Sequence, residues 1–118
     1  MNPEELKTRT KALALRVIRL ARILPRDPAG RAVAGQIVRS ATSVGANYRA
    51  ACRAQSRATF SAKLAIAEEE ADETLYWLEI LSESGLVKPE RLTELLKETR
   101  EIVAIITASR RTASTRAK

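Results

Sequence analysis

The chain has 118 residues, of which 45% are apolar, so it is long enough to bury a core as one domain without disulfides. Its few glycines, prolines and aromatic residues, beside abundant Ala, Leu, Glu, Arg and Lys, favour helices and argue against a β-sheet protein. Because histidine is absent and Cys52 is the single cysteine, an internal disulfide and a Cys/His metal site are both excluded. The N-terminal residues are polar and the apolar runs are short, so we expect a cytoplasmic protein with neither a signal peptide nor a membrane-spanning helix.

The net charge of +7 is distributed unevenly along the chain. Residues 1–63 hold 13 basic and 3 acidic side chains, residues 64–106 hold 4 and 11, and residues 107–118 add four basic ones. A basic half, an acidic half and a basic tail favour one of two functions. Either the basic surface binds nucleic acid, or the basic part of one subunit contacts the acidic part of its neighbour.

The first helix is predicted from residue 4 to residue 24, with Asn2 as its N-cap and Pro25 as the residue that ends it. At about 100° per residue, one stripe faces inward and comprises Leu6, Leu13, Val17, Leu20 and Leu24. Leu15 and Ile18 lie off that stripe, where they predict contact with a partner.

The second helix is predicted to follow the N-cap Asp27, to begin at Pro28 and to run to about residue 54. Its inward stripe comprises Val33, Ile37, Ala41, Val44, Tyr48 and Ala51. Arginines cover the outer faces of the first two helices, and they are the predicted contacts to nucleic-acid phosphates. These residues are Arg16, Arg19, Arg22, Arg31, Arg39, Arg49 and Arg53.

The third helix is predicted between the N-cap Ser56 and Gly85, with two apolar stripes. The inward stripe comprises Phe60, Leu64, Ala67, Ala71, Leu75, Leu78 and Leu81. A second stripe, about a third of a turn away, contains Ile66, Glu70, Glu73, Trp77 and Ile80. Because one bundle core covers only one face, this second stripe and the two off-stripe residues of the first helix predict an oligomer interface. There, Glu70 and Glu73 are expected to pair with arginines of a neighbour.

The fourth helix is predicted from Pro89 to about Ser109. Its inward stripe comprises Leu92, Leu95, Leu96, Thr99, Ile102, Val103 and Ile106. Residues 110–118 are basic and poor in apolar side chains, which predicts a disordered tail after a domain of residues 1–109. Short links between the helices predict an all-α, up-down-up-down antiparallel four-helix bundle.

The residue types in the sequence give little support for catalysis or metal binding. Carboxylates such as Glu70 and Glu73 have helical contact spacing, but the di-metal sites of helix bundles also need Glu-x-x-His pairs. Cys52 lacks a histidine that would activate it as a nucleophile. We therefore expect no catalytic residue, no metal and no cofactor.

Polar residues border the predicted core between the second and third helices. We expect Ser43, Asn47, Lys63 and Glu70 to form a structural cluster in which their polar groups satisfy one another, with a ligand site as the alternative.

Two runs of the sequence contain long spaced patterns. Residues 37–51 include Ser-Val-x-x-Asn, and residues 60–78 include Phe-x-x-Lys-Leu followed by Glu-x-x-Glu-Thr-x-x-Trp-Leu. Over nearly the whole chain, the sequence resembles the 23S rRNA intervening-sequence proteins. The resemblance implies an antiparallel bundle similar to subunits of a ring-like homopentamer. A related bundle, the accessory protein of diversity-generating retroelements, binds reverse transcriptase and nucleic acid. Ala50 stands where the family usually carries Glu, so a salt bridge built on that acid is lost.

The leading hypothesis is a non-enzymatic, homo-oligomeric scaffold that binds RNA, DNA or a ribonucleoprotein through its basic surface. The alternative is a protein–protein adaptor without direct nucleic-acid contact, whose positive charges meet an acidic partner or the acidic half of the next subunit. The chain has only four aromatic residues, and they do not alternate with basic ones. The expected nucleic-acid contacts are therefore to phosphates and not to bases.

Overall fold

Four helices make up most of residues 1–117, the part of the chain that the computed structural model describes. They are α1 (Pro3–Arg22), α2 (Pro28–Cys52), α3 (Arg57–Glu83) and α4 (Pro89–Ala117). Each helix packs against the next along the chain, and α4 returns to α1 in the loosest of the four contacts. The bundle measures 47 by 22 by 22 Å. Short loops join antiparallel neighbours, so the predicted up-down-up-down four-helix bundle is confirmed.

Side chains just outside the helices determine where three of them begin. The predicted N-caps Asn2, Asp27 and Ser56 each accept a hydrogen bond from the backbone amide three residues later. Each bond satisfies an amide that has no partner within the first turn of its helix. Gly85 follows α3 with a φ of 77°, a left-handed conformation that glycine adopts without strain.

The core lies along the bundle axis, and every helix contributes its predicted inward stripe. The largest fully buried apolar side chains are Leu13, Val17, Ile37, Val44, Leu64, Leu78, Leu81, Leu92, Ile102 and Ile106. Full burial of one such side chain contributes about 1.5 to 3 kcal/mol. Several predicted core residues are only half-buried at the rim, namely Leu20, Phe60, Leu75, Leu96 and Val103.

Four hydroxyl side chains are buried inside this core: Thr10, Ser40, Thr74 and Thr99. Ser40 Oγ and Thr74 Oγ1 are 2.9 Å apart, and their hydrogen bond links α2 to α3. Thr10 and Thr99 each donate to the carbonyl oxygen four residues earlier in their own helices, at 2.9 and 2.7 Å. Every buried side-chain nitrogen or oxygen among the described residues therefore has a hydrogen-bond partner.

The last helix includes residues 110–117, where the sequence predicted a disordered tail. Arg110 Nε donates to the carboxylate of Glu68 on α3 at 2.6 Å, and Ala113 packs against the core. These contacts give the end of α4 a packing surface, so the bundle extends beyond its predicted boundary. Lys118, the last residue of the predicted tail, lies outside the described residues.

Two glycines of α2 allow close approaches. A Cβ at Gly30 would lie 1.9 Å from the carbonyl oxygen of Pro25, so glycine lets the loop after α1 fold back onto the first turn of α2. A Cβ at Gly45 would lie 3.1 Å from the Oγ1 of Thr10, so glycine brings α2 close to α1. The position of a Cβ at Gly35, in contrast, has no such atom within 4 Å.

Gly30→Ala is expected to lower the free energy of unfolding by about 2 kcal/mol or more, because the Pro25 backbone carbonyl cannot swing aside as a side chain does. Gly35→Ala is the matched control, and it should stabilise the protein by about 0.5 to 1 kcal/mol through helix propensity alone. Urea unfolding followed by circular dichroism measures both changes. A Gly30→Ala variant as stable as wild type would contradict the close approach.

Candidate nucleic-acid interface

Up-down connectivity brings the N-termini of α1 and α3 and the C-termini of α2 and α4 to the same end of the bundle. We call this end the basic end, because all four helix termini contribute cations to it. These residues are Lys7, Lys11, Arg49, Arg53, Arg57, Arg110 and Arg111. Glu4 and Glu5 in the first turn of α1 are acidic residues at the same end.

A shallow groove between α1 and α2 opens at the basic end, with a volume of about 200 Å³. The groove is lined by Lys7, Thr10, Lys11, Ala14, Thr42, Gly45, Ala46 and Arg49. Small side chains form much of its lining, and its three cations come from both helices. Lys7 Nζ donates to the Glu4 carboxylate at 3.1 Å, but the Glu4 side chain is 83% exposed and solvent weakens the pair. The groove therefore suits an anionic group such as a phosphate.

The sequence-based set of phosphate contacts contains Arg49 but omits Lys7 and Lys11. The two lysines are one helical turn apart on α1, beside the inward-facing Thr10. That spacing is a signal for a basic edge on one helix. It does not show which part of α2 lies opposite, because this depends on the packing of the two helices.

Arg39 is a predicted phosphate contact whose charge is paired within the chain. Its Nη1 donates to the carboxylate of Glu70 at 2.8 Å, and its Nη2 donates to Glu73. Trp77 Nε1 donates to the same Glu73 at 3.1 Å. The hydrogen bonds from Trp77 and Arg39 lower the pKa of Glu73 below its usual value. Both carboxylates thus pair within one chain, which differs from the predicted pairing with a neighbour's arginines.

Two further arginines bridge helices. Arg9 donates from Nε to Glu98 at 2.8 Å and from Nη2 to Glu101 at 3.0 Å, which joins α1 to α4. The hydrogen bond from Arg9 lowers the pKa of Glu98. Arg110 donates to Glu68, whose pKa is lowered by hydrogen bonds from Thr107 and Arg110. These cations hold helices together, and α1 and α4 in particular have little other contact.

The remaining predicted phosphate contacts are spread along the bundle. Four of them lie towards the opposite end: Arg16, Arg19, Arg22 and Arg31. Arg31 and Arg53 are about 33 Å apart along α2 at 1.5 Å per residue. Only Arg49 and Arg53 belong to the basic end. The seven predicted arginines therefore do not form one continuous surface.

The predicted polar cluster does not form as a unit. Asn47 Nδ2 donates to the backbone carbonyl of Ser43 at 2.9 Å, within α2 itself. Glu70 is bonded to the arginine described above, and within the described chain no hydrogen bond or ion pair joins Lys63 to the other three. The buried hydroxyl pair of the core instead links α2 to α3.

The apolar residues predicted at an oligomer interface differ in exposure. Leu15 is 49% exposed and Ile66 is 40% exposed. The other three are half-buried: Ile18, Trp77 and Ile80. Tyr76, which the prediction omits, is 53% exposed, and its ring lies edge-on to that of Trp77 with centroids 5.0 Å apart. Trp77 itself packs against the core of its own bundle.

Other chemistry is sparse in the described part of the chain. It contains no group of three or more His, Cys, Asp or Glu that could hold a metal ion. Burial, together with a hydrogen bond to the half-buried Cys52, raises the pKa of the Tyr48 phenol. Tyr48 is therefore a neutral core residue at neutral pH. None of the described helices is both long and apolar enough to span a membrane.

The fold and the site define a class of protein: a small four-helix bundle that carries a concentration of cations at one end. The model of the family described as 23S rRNA-intervening sequence protein matches residues 4–108, and the chain belongs to this family. No protein with a curated description matches the chain.

A solved structure supports both the family and the fold. It is the 1.70 Å crystal structure of a protein with unknown function from the S23 ribosomal protein family of Bacteroides thetaiotaomicron VPI-5482. The chain is similar to it with a TM-score of 0.86 and 35% sequence identity, over 94% of this chain and 99% of that chain. The resemblance found in the sequence is thus confirmed.

Glu98→Gln is expected to lower the free energy of unfolding at neutral pH, because Arg9 loses a carboxylate partner. The interaction lowers the pKa of Glu98 in the folded protein, so its contribution is present above a pH of about 4.5 and is lost as the pH falls below it. The stability difference from wild type should therefore shrink between about pH 7 and about pH 3. Urea unfolding at both pH values tests this.

The exposed Glu94, one turn earlier on α4, provides the control variant Glu94→Gln. Its effect at neutral pH should be smaller, since an exposed carboxylate contributes little to stability. If Glu98→Gln lowers the free energy of unfolding by the same amount at both pH values, the ion pair is not the cause of the loss.

Proposed function

We propose that the protein is a non-enzymatic, homo-oligomeric scaffold that binds nucleic acid, alone or within a ribonucleoprotein, through the basic end of its bundle. The observation that carries this proposal is the groove between α1 and α2, where Lys7, Lys11 and Arg49 surround small side chains. Unlike the arginines that bridge helices, these cations line an open depression.

The chemistry of the groove fits a phosphate backbone. The two lysines supply compact, mobile charges, and the arginine supplies a planar fork that can bind two phosphate oxygens at once. Small residues such as Gly45 and Ala46 let a backbone approach closely. The net charge of +7 attracts a polyanion from a distance, so binding should weaken with added salt. Contacts of this kind position a nucleic acid without reading its sequence.

RNA is the first nucleic acid to test, since the family description names an intervening sequence of 23S rRNA. Under this proposal the protein meets its partner in the cytoplasm, where ribosomal RNA is found. DNA and a reverse transcriptase are the further partners that the resemblance to retroelement accessory proteins suggests. The resemblance to the 23S rRNA intervening-sequence proteins suggests a ring of five subunits as the assembly.

Replacing Lys7, Lys11 and Arg49 together by Gln is expected to weaken binding of a single-stranded oligonucleotide and to lower the salt slope by about two units, at about 0.7 per lost phosphate contact. The matched control replaces Arg22, Arg26 and Arg31 by Gln at the opposite end, with the same change in net charge. Fluorescence anisotropy over a salt series measures both variants. An equal loss of affinity in the two triple variants would show that the phosphate contacts lie elsewhere. The absence of binding by wild type at low salt would overturn the proposal.

A second candidate function, a protein–protein adaptor, is favoured by a particular surface of α3. Ile66 and Tyr76 are exposed there, and the exposed acidic residues Glu69 and Asp72 lie between them in the sequence. An exposed stripe that combines apolar and acidic side chains suits contact with a basic partner. In the absence of oligonucleotide binding, this adaptor role becomes the leading interpretation.

The homo-oligomeric part of the proposal rests on apolar side chains that the bundle leaves exposed on two different helices. Leu15 on α1 and Ile66 on α3 belong to separate patches, and contact between unlike patches is the head-to-tail arrangement that closes into rings.

Leu15→Gln and Ile66→Gln should each dissociate the oligomer with little loss of monomer stability. Trp77→Ala should mainly destabilise the monomer, because this side chain packs against its own core.

Light scattering and thermal unfolding of the same samples separate these effects. A wild-type mass near the 13.0 kDa of one chain at micromolar concentration would remove self-association from the proposal.

A further inference from the structure

A cavity at the basic end lies between the first turns of α3 and the last turns of α4, on the side of the bundle opposite the groove. Its volume is about 450 Å³, within the range of about 300 to 1,000 Å³ that is usual for ligand-binding clefts, and it is open to solvent. The residues that line it are Arg57, Phe60, Ala108, Ser109, Thr112 and Ala113. We call it the end cavity.

The lining of the end cavity combines three kinds of group. The half-buried ring of Phe60 and two alanines provide an apolar surface, while Ser109 and Thr112 carry hydroxyls that can donate or accept hydrogen bonds. Arg57 adds a guanidinium from the first turn of α3. A flat, apolar group with a polar edge and an attached anion matches all three.

The charges around the cavity favour an anionic ligand. Arg53 and Arg111 are exposed at the same end of the bundle, and the N-terminus of α3 presents the positive end of its helix dipole there. Glu68, the acidic residue nearest to the cavity on α3, is held by the hydrogen bond from Arg110. Its charge is thus largely compensated and does not repel a phosphate.

We infer that the end cavity binds a base of single-stranded nucleic acid, with the base on the Phe60 ring and the adjoining phosphate near the exposed Arg53 and Arg111. This inference rests on the proposed function and adds to it, because the groove between α1 and α2 contacts phosphates alone. A base can enter the cavity only when it is unpaired, since the bases of a duplex are stacked and bonded to their partners. The protein therefore prefers single strands.

Two fluorescent probes of equal length and charge test the base contact. One is an oligodeoxyadenylate of about twelve nucleotides, and the other is its abasic analogue with the same phosphates. Wild type should bind the adenylate at least about 5-fold more tightly than the abasic strand, the lower limit for stacking of one base on an aromatic side chain. Phe60→Leu keeps an apolar side chain in the core but removes the ring, so its ratio should fall to about one. Phe60→Tyr should keep the wild-type ratio.

Tyr76→Leu is the matched control, because it removes an exposed aromatic ring far from the end cavity. Its ratio should equal that of wild type. The ratio compares two probes on one protein sample. A loss of folded protein in any variant therefore weakens the apparent binding of both probes and leaves their ratio unchanged.

Equal affinity of wild type for the two probes, or an unchanged ratio in Phe60→Leu, would overturn the base contact and leave the phosphate groove in place. The absence of binding to either probe at low salt would overturn the proposed function together with this inference.

Discussion

Burial of one apolar stripe from every helix in a common core is the constraint on which the rest of this structure depends. Once Leu13, Ile37, Leu78 and Ile102 face the same axis, the rotation of each helix about its own axis is determined. The side chains beside each stripe then meet those of the neighbouring helix, and those opposite the stripe face solvent. The charge pattern of the surface is a consequence of this packing.

The ion pairs between helices divide the cations of the protein into two groups. One group bridges helices and stabilises the bundle, as Arg9 does between α1 and α4 and Arg39 does between α2 and α3. Side-chain hydrogen bonds compensate the charges of this group, so a phosphate would have to compete with a carboxylate for them. Other cations lie at the end where α2 passes into α3, and three of them, Lys7, Lys11 and Arg49, line the phosphate groove. Net charge alone therefore overstates the basic surface that a nucleic acid can reach.

The candidate site differs from its sequence-based prediction for a related reason. Helical periodicity shows which residues share a face of one helix, and it correctly separated the core stripes from the arginines. It carries no information on the height at which two helices meet or on which residues lie opposite. Lys7 and Lys11 became candidates only because Arg49 lies across the groove from them, and Arg39 lost that role because two glutamates face it.

The sequence by itself determined the four helices, their N-caps, their antiparallel order and the family, because these depend on local spacing, on caps and breakers and on short loops. Even here the final turns of α4 were decided by tertiary contacts, since Arg110 and Ala113 pack against partners that are distant in sequence. Only the tertiary structure decided which charges are paired, that Trp77 belongs to its own core, and that Phe60 and Arg57 share a cavity with the end of α4. Each of these depends on side chains from two helices, and their relative position follows from the packing of the whole core.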